Sequence, residues 1–474
     1  MERVVEASAV IVGSGPNGLA CGIALAKAGV KVEIFESSLI AGGGLRTEEL
    51  TLPGFHHDVF SAVYPMTLAS PFFKSLPLHE HGLEWVHSPA VVAHPFDGGT
   101  SALFFRSVKE TASRLGKDQN TYESFFQDFS NRSEDLMEEI MGPVIHAPKH
   151  PFLLSHFGLN ALRSAESFSY RFLDERTRGL WAGIAAHAAI PLTSLASSAA
   201  GLVLQIAGHA EGWPIPKGGA KSLAAALISY FESLGGVIHT GVKIDLVDQL
   251  PKSKFIFFDL TPRQILKIVG STLKPSTQKR FQEYKYGVGV FKMDWALSGP
   301  IPWASKECAL AATVHLGGTF QEIKDSEDGP NLGKTSSAPY VLLCQPSLFD
   351  STRAPAGKHT AWAYCHVPNG DITDVSEKIE KQIERFAPGF KKLILKRNIL
   401  NPSALENLNS NLVGGDISGG LIKGGQLFFR PAFSLTSPYA IEGGKYFICS
   451  SSTPPGPGVH GMCGFRAAQT ALKL

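Results

Sequence analysis

Ala7-Ser8-Ala9-Val10-Ile11-Val12 runs directly into Gly13-Ser14-Gly15-Pro16-Asn17-Gly18, and that turn opens the alanine-rich stretch Leu19 to Ala28. The apolar run reads as a buried strand and the alanine-rich stretch as a helix, with the glycines at the corner between them. Each glycine has its own reason to be there. Gly13 permits the tight strand-to-helix turn, Gly15 lets backbone approach a pyrophosphate, and Gly18 lets the helix pack closely on the strand. The helix then presents free N–H groups and the positive end of its dipole to a phosphate.

A glycine corner of this kind is weak evidence alone, and the flanking sequence is what strengthens it. Val30-Lys31-Val32-Glu33-Ile34-Phe35 reads as a second strand, and it ends at Glu36, about 20 residues beyond the glycines, where a carboxylate takes ribose hydroxyls and disfavours a 2′-phosphate. Beyond it, Gly42-Gly43-Gly44-Leu45-Arg46-Thr47 offers a second glycine backbone and a guanidinium suited to a phosphate. Strand, turn, helix, strand and acid together specify a dinucleotide-binding βαβ unit.

The rest of the chain is long enough for roughly three domain-sized units at 474 residues. Its 44 basic and 42 acidic residues leave a formal charge of +2, so nothing favours a polyanion and nucleic acid is excluded as a partner. The six cysteines show no CxxC spacing, which argues for a reducing compartment and against a zinc site or a redox disulfide. No basic segment precedes the first apolar run, so a signal peptide is not expected and the chain reads as cytoplasmic. Gly179 to Ala210 contains no Asp, Glu, Lys or Arg, yet Pro191, His187, Gln205 and His209 interrupt it. Two buried helices joined near Pro191 are expected, with a lipophilic substrate wall or a face in peripheral contact with a membrane as the alternatives.

Between these landmarks the expectations are coarser. A capping box at Ser107 starts a helix, and Tyr122, Phe125, Phe126, Phe129, Leu136, Met137 and Ile140 recur at mostly helical spacing. After Pro216-Lys217-Gly218-Gly219 a helix is expected, ended by Gly235-Gly236, then short strands at Val237–Thr240, Val242–Ile244 and Lys254–Asp259. From about Arg263 to Ser410, strands at Tyr286–Met293, Tyr340–Leu343 and Thr360–His366 suggest an antiparallel sheet with one face covered, followed by a helix near Ile379–Phe386. Asp325 to Ser337 reads as a surface loop. Near the end, the strand Tyr446–Cys449 leads into Ser450 to Gly464, a glycine-rich loop containing Gly456, Gly458, Val459, His460 and Gly461, and then a last helix. That is a second place where backbone N–H groups meet a negative or electron-accepting group.

With Gly54-Phe55-His56-His57-Asp58, Ser61-Ala62-Val63, Ser70-Pro71, Gly82-Leu83-Glu84-Trp85 and Gly414-Gly415-Asp416, these motifs resemble the amine oxidase and phytoene desaturase superfamily, and within it the pyridine nucleotide-disulfide oxidoreductase domain-containing protein 2 family. Pro457 and Tyr64 stand where a glycine and a histidine are frequent. The resemblance implies an α/β fold with a Rossmann-type discontinuous FAD-binding domain, residues 1–75, 211–262 and 411–474, and an α+β substrate domain, residues 76–210 and 263–410. It implies FAD contacts from Gly13, Ser14, Gly15, Pro16, Asn17 and Gly18; from Glu36, Ser37, Gly43, Gly44, Leu45 and Arg46; and from Ser61, Ala62, Val242, Gly458, Val459, His460 and Gly461. The chemistry implied is hydride transfer between a mainly apolar small molecule and flavin N5, with oxygen, a quinone or a protein as electron acceptor. His460 is the first candidate for acid–base work, then His57 and Asp58. A lipid-chaperoning protein on the same fold, as in Rab GDP-dissociation inhibitors, is the alternative.

Overall fold

The computed structural model describes residues 8–431 and 438–474; Ala7, the expected first residue of the opening strand, lies outside them. Two sheets organise the chain. The first has the order Ala440–Ile441, Tyr446–Ile448, Phe255–Phe258, Ser8–Val12, Lys31–Phe35, Val237–His239, parallel throughout except for the antiparallel edge strand Ala440–Ile441. The central strands Ser8–Val12 and Phe255–Phe258 are almost wholly buried, whereas Lys31–Phe35 alternates, as its mixed composition requires nearer the edge. The helix Pro16–Lys27 follows the glycine turn, with proline in its first turn and no side-chain cap. Against it lies the terminal helix Met462–Ala471, so close that any side chain at Gly464 would collide with the Asn17 carbonyl.

The second sheet has seven strands, ordered Ile394–Leu400, Gly289–Leu297, His359–Val367, Val341–Cys344, Ala311–Leu316, Ala90–Phe96, Thr100–Phe104. Pairing is antiparallel apart from Ala311–Leu316 with Ala90–Phe96. The expected antiparallel sheet is therefore present, but both of its faces are covered. Alternate residues enter different cores: Val92, Leu342 and Trp362 join the core that holds Leu180 and Ile184, while Ala93, Leu343 and Ala363 join that of Ile379 and Ile383. These are the helices Glu175–Ala185 and Ser376–Phe386, one on each side.

The uncharged stretch forms two mostly buried helices, Glu175–Ala185 and Ser198–Glu211, joined through the Pro191 region. The aromatic series occupies Gln119–Asn131 and Ser133–Ile140, and the helix after Gly219 is Ala220–Ser233. Two local expectations are corrected. Asp325 to Ser337 is not a loop throughout, because the helix Phe320–Asn331 runs through its first half: Thr319 and Glu322 form a capping box, and Ile323 and Glu327 are buried. Val242 to Ile244 forms no strand; the Val242 amide donates to the Glu36 carbonyl, which ties this segment beside the end of Lys31–Phe35. Among the described residues, no helix is long and apolar enough to cross a membrane.

Candidate functional site

At the carboxyl end of the first sheet the strand Ser8–Val12 hands over to the glycine turn, with Gly13 at φ 99°. The turn is crossed by the second glycine loop: a Cβ on Gly43, itself at φ 56°, would lie 2.7 Å from the Gly15 Cα. Glu36 closes the next side. Its Oε2 accepts from the Ser14 amide at 2.9 Å and the Ser14 hydroxyl at 2.6 Å, and its Oε1 accepts from the Ser38 amide at 2.9 Å and the Ser37 hydroxyl at 3.3 Å. The Asn17 Oδ1 is buried without a partner, although Asn17 borders the adjoining cavity. A buried acceptor left unpaired costs about 1–3 kcal/mol, so it marks a place where a donor belongs.

That cavity, of about 1160 Å³, continues from the glycine turn between the two sheets. It exceeds the roughly 300–1,000 Å³ typical of a drug-sized ligand, which suits a dinucleotide together with a second molecule. One end is lined by Gly13, Gly15, Pro16, Asn17, Glu36 and Ser37, with Gly43, Gly44, Arg46 and Val242 beside them. Ser61, Ala62, Gly458, Val459 and His460 line the middle. The far wall draws on the uncharged stretch through His187, Ala188, Ile190, Ala199, Ala200 and Val203, and on the second sheet through Val290, Lys292, Leu342, Trp362 and Tyr364.

Several residues named from sequence lie next to the cavity without lining it. Ser14 and Gly18 are hydrogen-bonded to Glu36 and Asp259, and the Leu45 side chain is in the core. Gly461 sits at φ 67° ahead of the terminal helix, where a Cβ would come within 2.7 Å of Phe73. Arg46 reaches the cavity but is paired with Glu48. Asp58 is locked in the fold, accepting from Thr47 Oγ1 and the Ala220 amide at 2.8 Å each and from Arg353 at 2.6 Å. His57 is bound through Nε2 to Thr51 and lies 3.8 Å from Asp294; burial first, then the charges of Lys292 and Arg353, push its pKa down to about 3. His460 uses both ring nitrogens on backbone: Nδ1 accepts from the Met462 amide at 3.0 Å and Nε2 donates to the Gly456 carbonyl at 3.2 Å. Burial pulls its pKa down to about 4, so it is a neutral brace of this loop with no ring nitrogen spare.

Polar groups that the motifs did not single out also line the cavity, among them Lys292, His187 and Asp259. Lys292 and Asp294, two apart on Gly289–Leu297, share one face and pair at 2.5 Å, with the Lys292 ammonium 5.3 Å from the centre of the Trp362 ring. Two charges in the otherwise apolar run Gly289-Val290-Phe291-Lys292-Met293-Asp294-Trp295 are a signal visible in the sequence. His187 meets His315, Nε2 to Nε2 at 3.1 Å, and burial keeps both rings neutral, His187 at a pKa of about 3. Asp259 lies under the glycine turn, its Oδ2 accepting from the Gly18 amide at 3.0 Å; burial, then the charge of Glu36, raises its pKa to about 7.

A parallel sheet whose glycine turn and terminal acid frame a large cavity, closed by a second mixed sheet, is an α/β fold of the amine oxidase and phytoene desaturase type. Known proteins bear this out. The profile of the NAD(P)-binding Rossmann-like domain matches residues 11–76. The chain is 28% identical to pyridine nucleotide-disulfide oxidoreductase domain-containing protein 2 of Rattus norvegicus, over 99% of this chain and 94% of that protein. It is 23% identical to phytoene desaturase of Fusarium fujikuroi, over 80% of this chain and 69% of that protein. Wild-type putrescine oxidase bound to putrescine has the same fold, with a TM-score of 0.60 at 16% identity over 98% of each chain. The resemblance carried by the motifs thus extends along the whole chain. Its six cysteines are all free and buried.

Proposed function

We propose that this protein is an FAD-dependent oxidoreductase that transfers hydride between a mainly apolar small molecule and flavin N5. The observation that carries the reading is one continuous cavity with two unlike ends: glycine backbone, Glu36 and the unpaired Asn17 Oδ1 at one, small apolar residues of the uncharged stretch at the other. The first end fits a dinucleotide, with glycine amides and the helix N-terminus for its pyrophosphate and Glu36 for its ribose. The second end fits a molecule without charge, in keeping with the name of the related phytoene desaturase.

When bound, FAD supplies the hydride-accepting centre, and the chain supplies binding, orientation and a dry site. Gly458 and Val459 bring backbone to the middle of the cavity, and His460 holds that loop in shape. Ala188, Ala199, Ala200 and Val203 exclude water and set the width of the substrate end. Lys292, fixed by Asp294 and facing Trp362, and neutral His187 are polar groups that could orient a substrate or move its proton. The chain works as a nucleotide unit, residues 1–75, 211–262 and 411–474, around which residues 76–210 and 263–410 build the substrate unit. Of the two GxGxxG matches, the one at residues 13–18 directly follows a strand and opens the helix of a βαβ unit, whereas that at residues 456–461 lies in the loop before the terminal helix. A single dinucleotide site is therefore read, FAD fills it, and the electrons leave to oxygen, a quinone or a protein and not to NAD(P).

Anaerobic mixing of the FAD-loaded protein with a panel of apolar alkenes and amines tests the reading. Bleaching of the oxidised flavin by one of these classes, and none by NADH or NADPH, is the expected result. Tight binding of apolar compounds with the flavin left oxidised throughout would favour a lipid-binding protein on this fold.

A further inference from the structure

The carboxylate of Asp259 occupies space that the glycine turn leaves open. A Cβ on Gly15 would lie 2.5 Å from Asp259 Oδ2 and one on Gly18 3.1 Å from it, and the Gly18 amide already donates to that oxygen at 3.0 Å. The backbone that carries it is held from both directions: the Asp259 amide donates to the Val12 carbonyl at 2.9 Å, and the Asn411 side-chain amide donates to the Asp259 carbonyl at 2.8 Å. An acid thus consumes one of the N–H groups at the start of Pro16–Lys27, the helix end that serves a phosphate. Glu36, across the same turn, is a second acid.

We propose that Asp259 is a built-in competitor for the anion site of the glycine turn, so that uptake of a pyrophosphate-bearing nucleotide is coupled to protonation of the Asp259 carboxyl group. The inference rests on the FAD reading above and deepens it. Two negative charges of a pyrophosphate brought beside a buried carboxylate raise the cost of its ionisation, and the proton binds in exchange. The groups facing Asp259 do not offset this. Glu36 has the same sign, and Cys449 of the segment after Tyr446–Ile448 and Cys463 of the terminal helix are thiols kept neutral by burial. Of the cavity's cations on the following helix, Arg263 is paired with Glu406 and Lys267 lies near the same acid. Burial and Glu36 place the titration of Asp259 at about 7 before any nucleotide arrives, within the physiological range.

The sign follows. Below the pH at which Asp259 titrates, the acid is already neutral and the affinity is flat. Above it the bound state retains a proton that the free state has lost, so the dissociation constant rises by up to about tenfold per pH unit.

The test is the binding of FAD, and separately of ADP, to the full chain freed of nucleotide, measured from about pH 6 to about pH 9, on both sides of the Asp259 titration at about 7. The expected result is affinity falling with pH above 7 for both probes, a flat profile for Asp259→Asn, and tighter binding by that variant at the alkaline end. Calorimetry of the unaltered chain in two buffers of different ionisation enthalpy should register uptake of about one proton per nucleotide bound on the alkaline side. FAD binding with no proton uptake, or the same slope in Asp259→Asn, would overturn the coupling while leaving the FAD reading intact. Failure to bind FAD or ADP at any pH would overturn both.

Discussion

The Glu36 carboxylate and Ser14 are joined twice, through the Ser14 amide at 2.9 Å and its hydroxyl at 2.6 Å, so the acid that ends the second strand also fixes the backbone of the glycine turn. Glu36→Ala should therefore weaken FAD binding by removing ribose contacts and by loosening the turn. Charge-assisted hydrogen bonds contribute about 1.5–3 kcal/mol each, so a loss of roughly ten- to a hundredfold in affinity is expected by fluorescence titration. Glu36→Gln, which keeps the shape, should fall between the two; equal affinity in all three proteins would put the ribose elsewhere.

Asp58 and Arg353 are both fully buried and paired at 2.6 Å, and Asp58 ties Thr47 to the start of Ala220–Ser233. Arg353→Met leaves a buried carboxylate without its cation, which costs about 3–5 kcal/mol. Chemical denaturation should register that loss, and Asp58→Asn in the same chain should restore part of it. A stability equal to wild type would mean that Asp58 has other compensation.

Six histidines of the interior have pKa values pushed down mainly by burial: His57 and His187 to about 3, His94, His209 and His460 to about 4, and His315 well below its ordinary value. A depressed folded-state value means that the unfolded chain binds more protons below 6.5, so the stabilisation is complete above that pH and is lost as pH falls toward 4. Thermal melts across this window should show a steep loss with several protons taken up on unfolding. A flat profile would contradict the neutral, buried state of these rings.

Ala188 lines the substrate end of the cavity and belongs to the uncharged stretch. Ala188→Phe should fill that end and displace a substrate from its reacting position, an error that costs about a hundredfold in rate. FAD content, measured by absorbance, should not change. Unaltered turnover would remove this wall from the substrate path.

The glycine turn and Glu36 were legible because their chemistry is local: a strand, a turn and an acid within one short segment. The uncharged stretch was legible as buried helix, since thirty-odd positions without a charge have few other homes. Lys292 and Asp294 were readable in principle as two charges on one face of an apolar strand, but the place of Lys292 on the cavity wall follows only from the seven-strand order. Asp259 and the His187–His315 pair were not readable. Asp259 comes to Gly15 because Phe255–Phe258 pairs beside Ser8–Val12, and His187 meets His315 across the sheet–helix packing; no local pattern encodes either. Phe320–Asn331 was hidden by its polar, glycine-bearing second half, which outweighed the capping box at Thr319.

The central claim is that the cradle formed by Gly15, Gly43, Glu36 and Asn17 holds FAD. The most direct test is the visible absorption spectrum of the purified full chain, before and after incubation with FAD and removal of the excess. The account predicts oxidised flavin bands and about one FAD per chain, as one glycine turn per chain requires. A colourless protein that takes up no added FAD would contradict it.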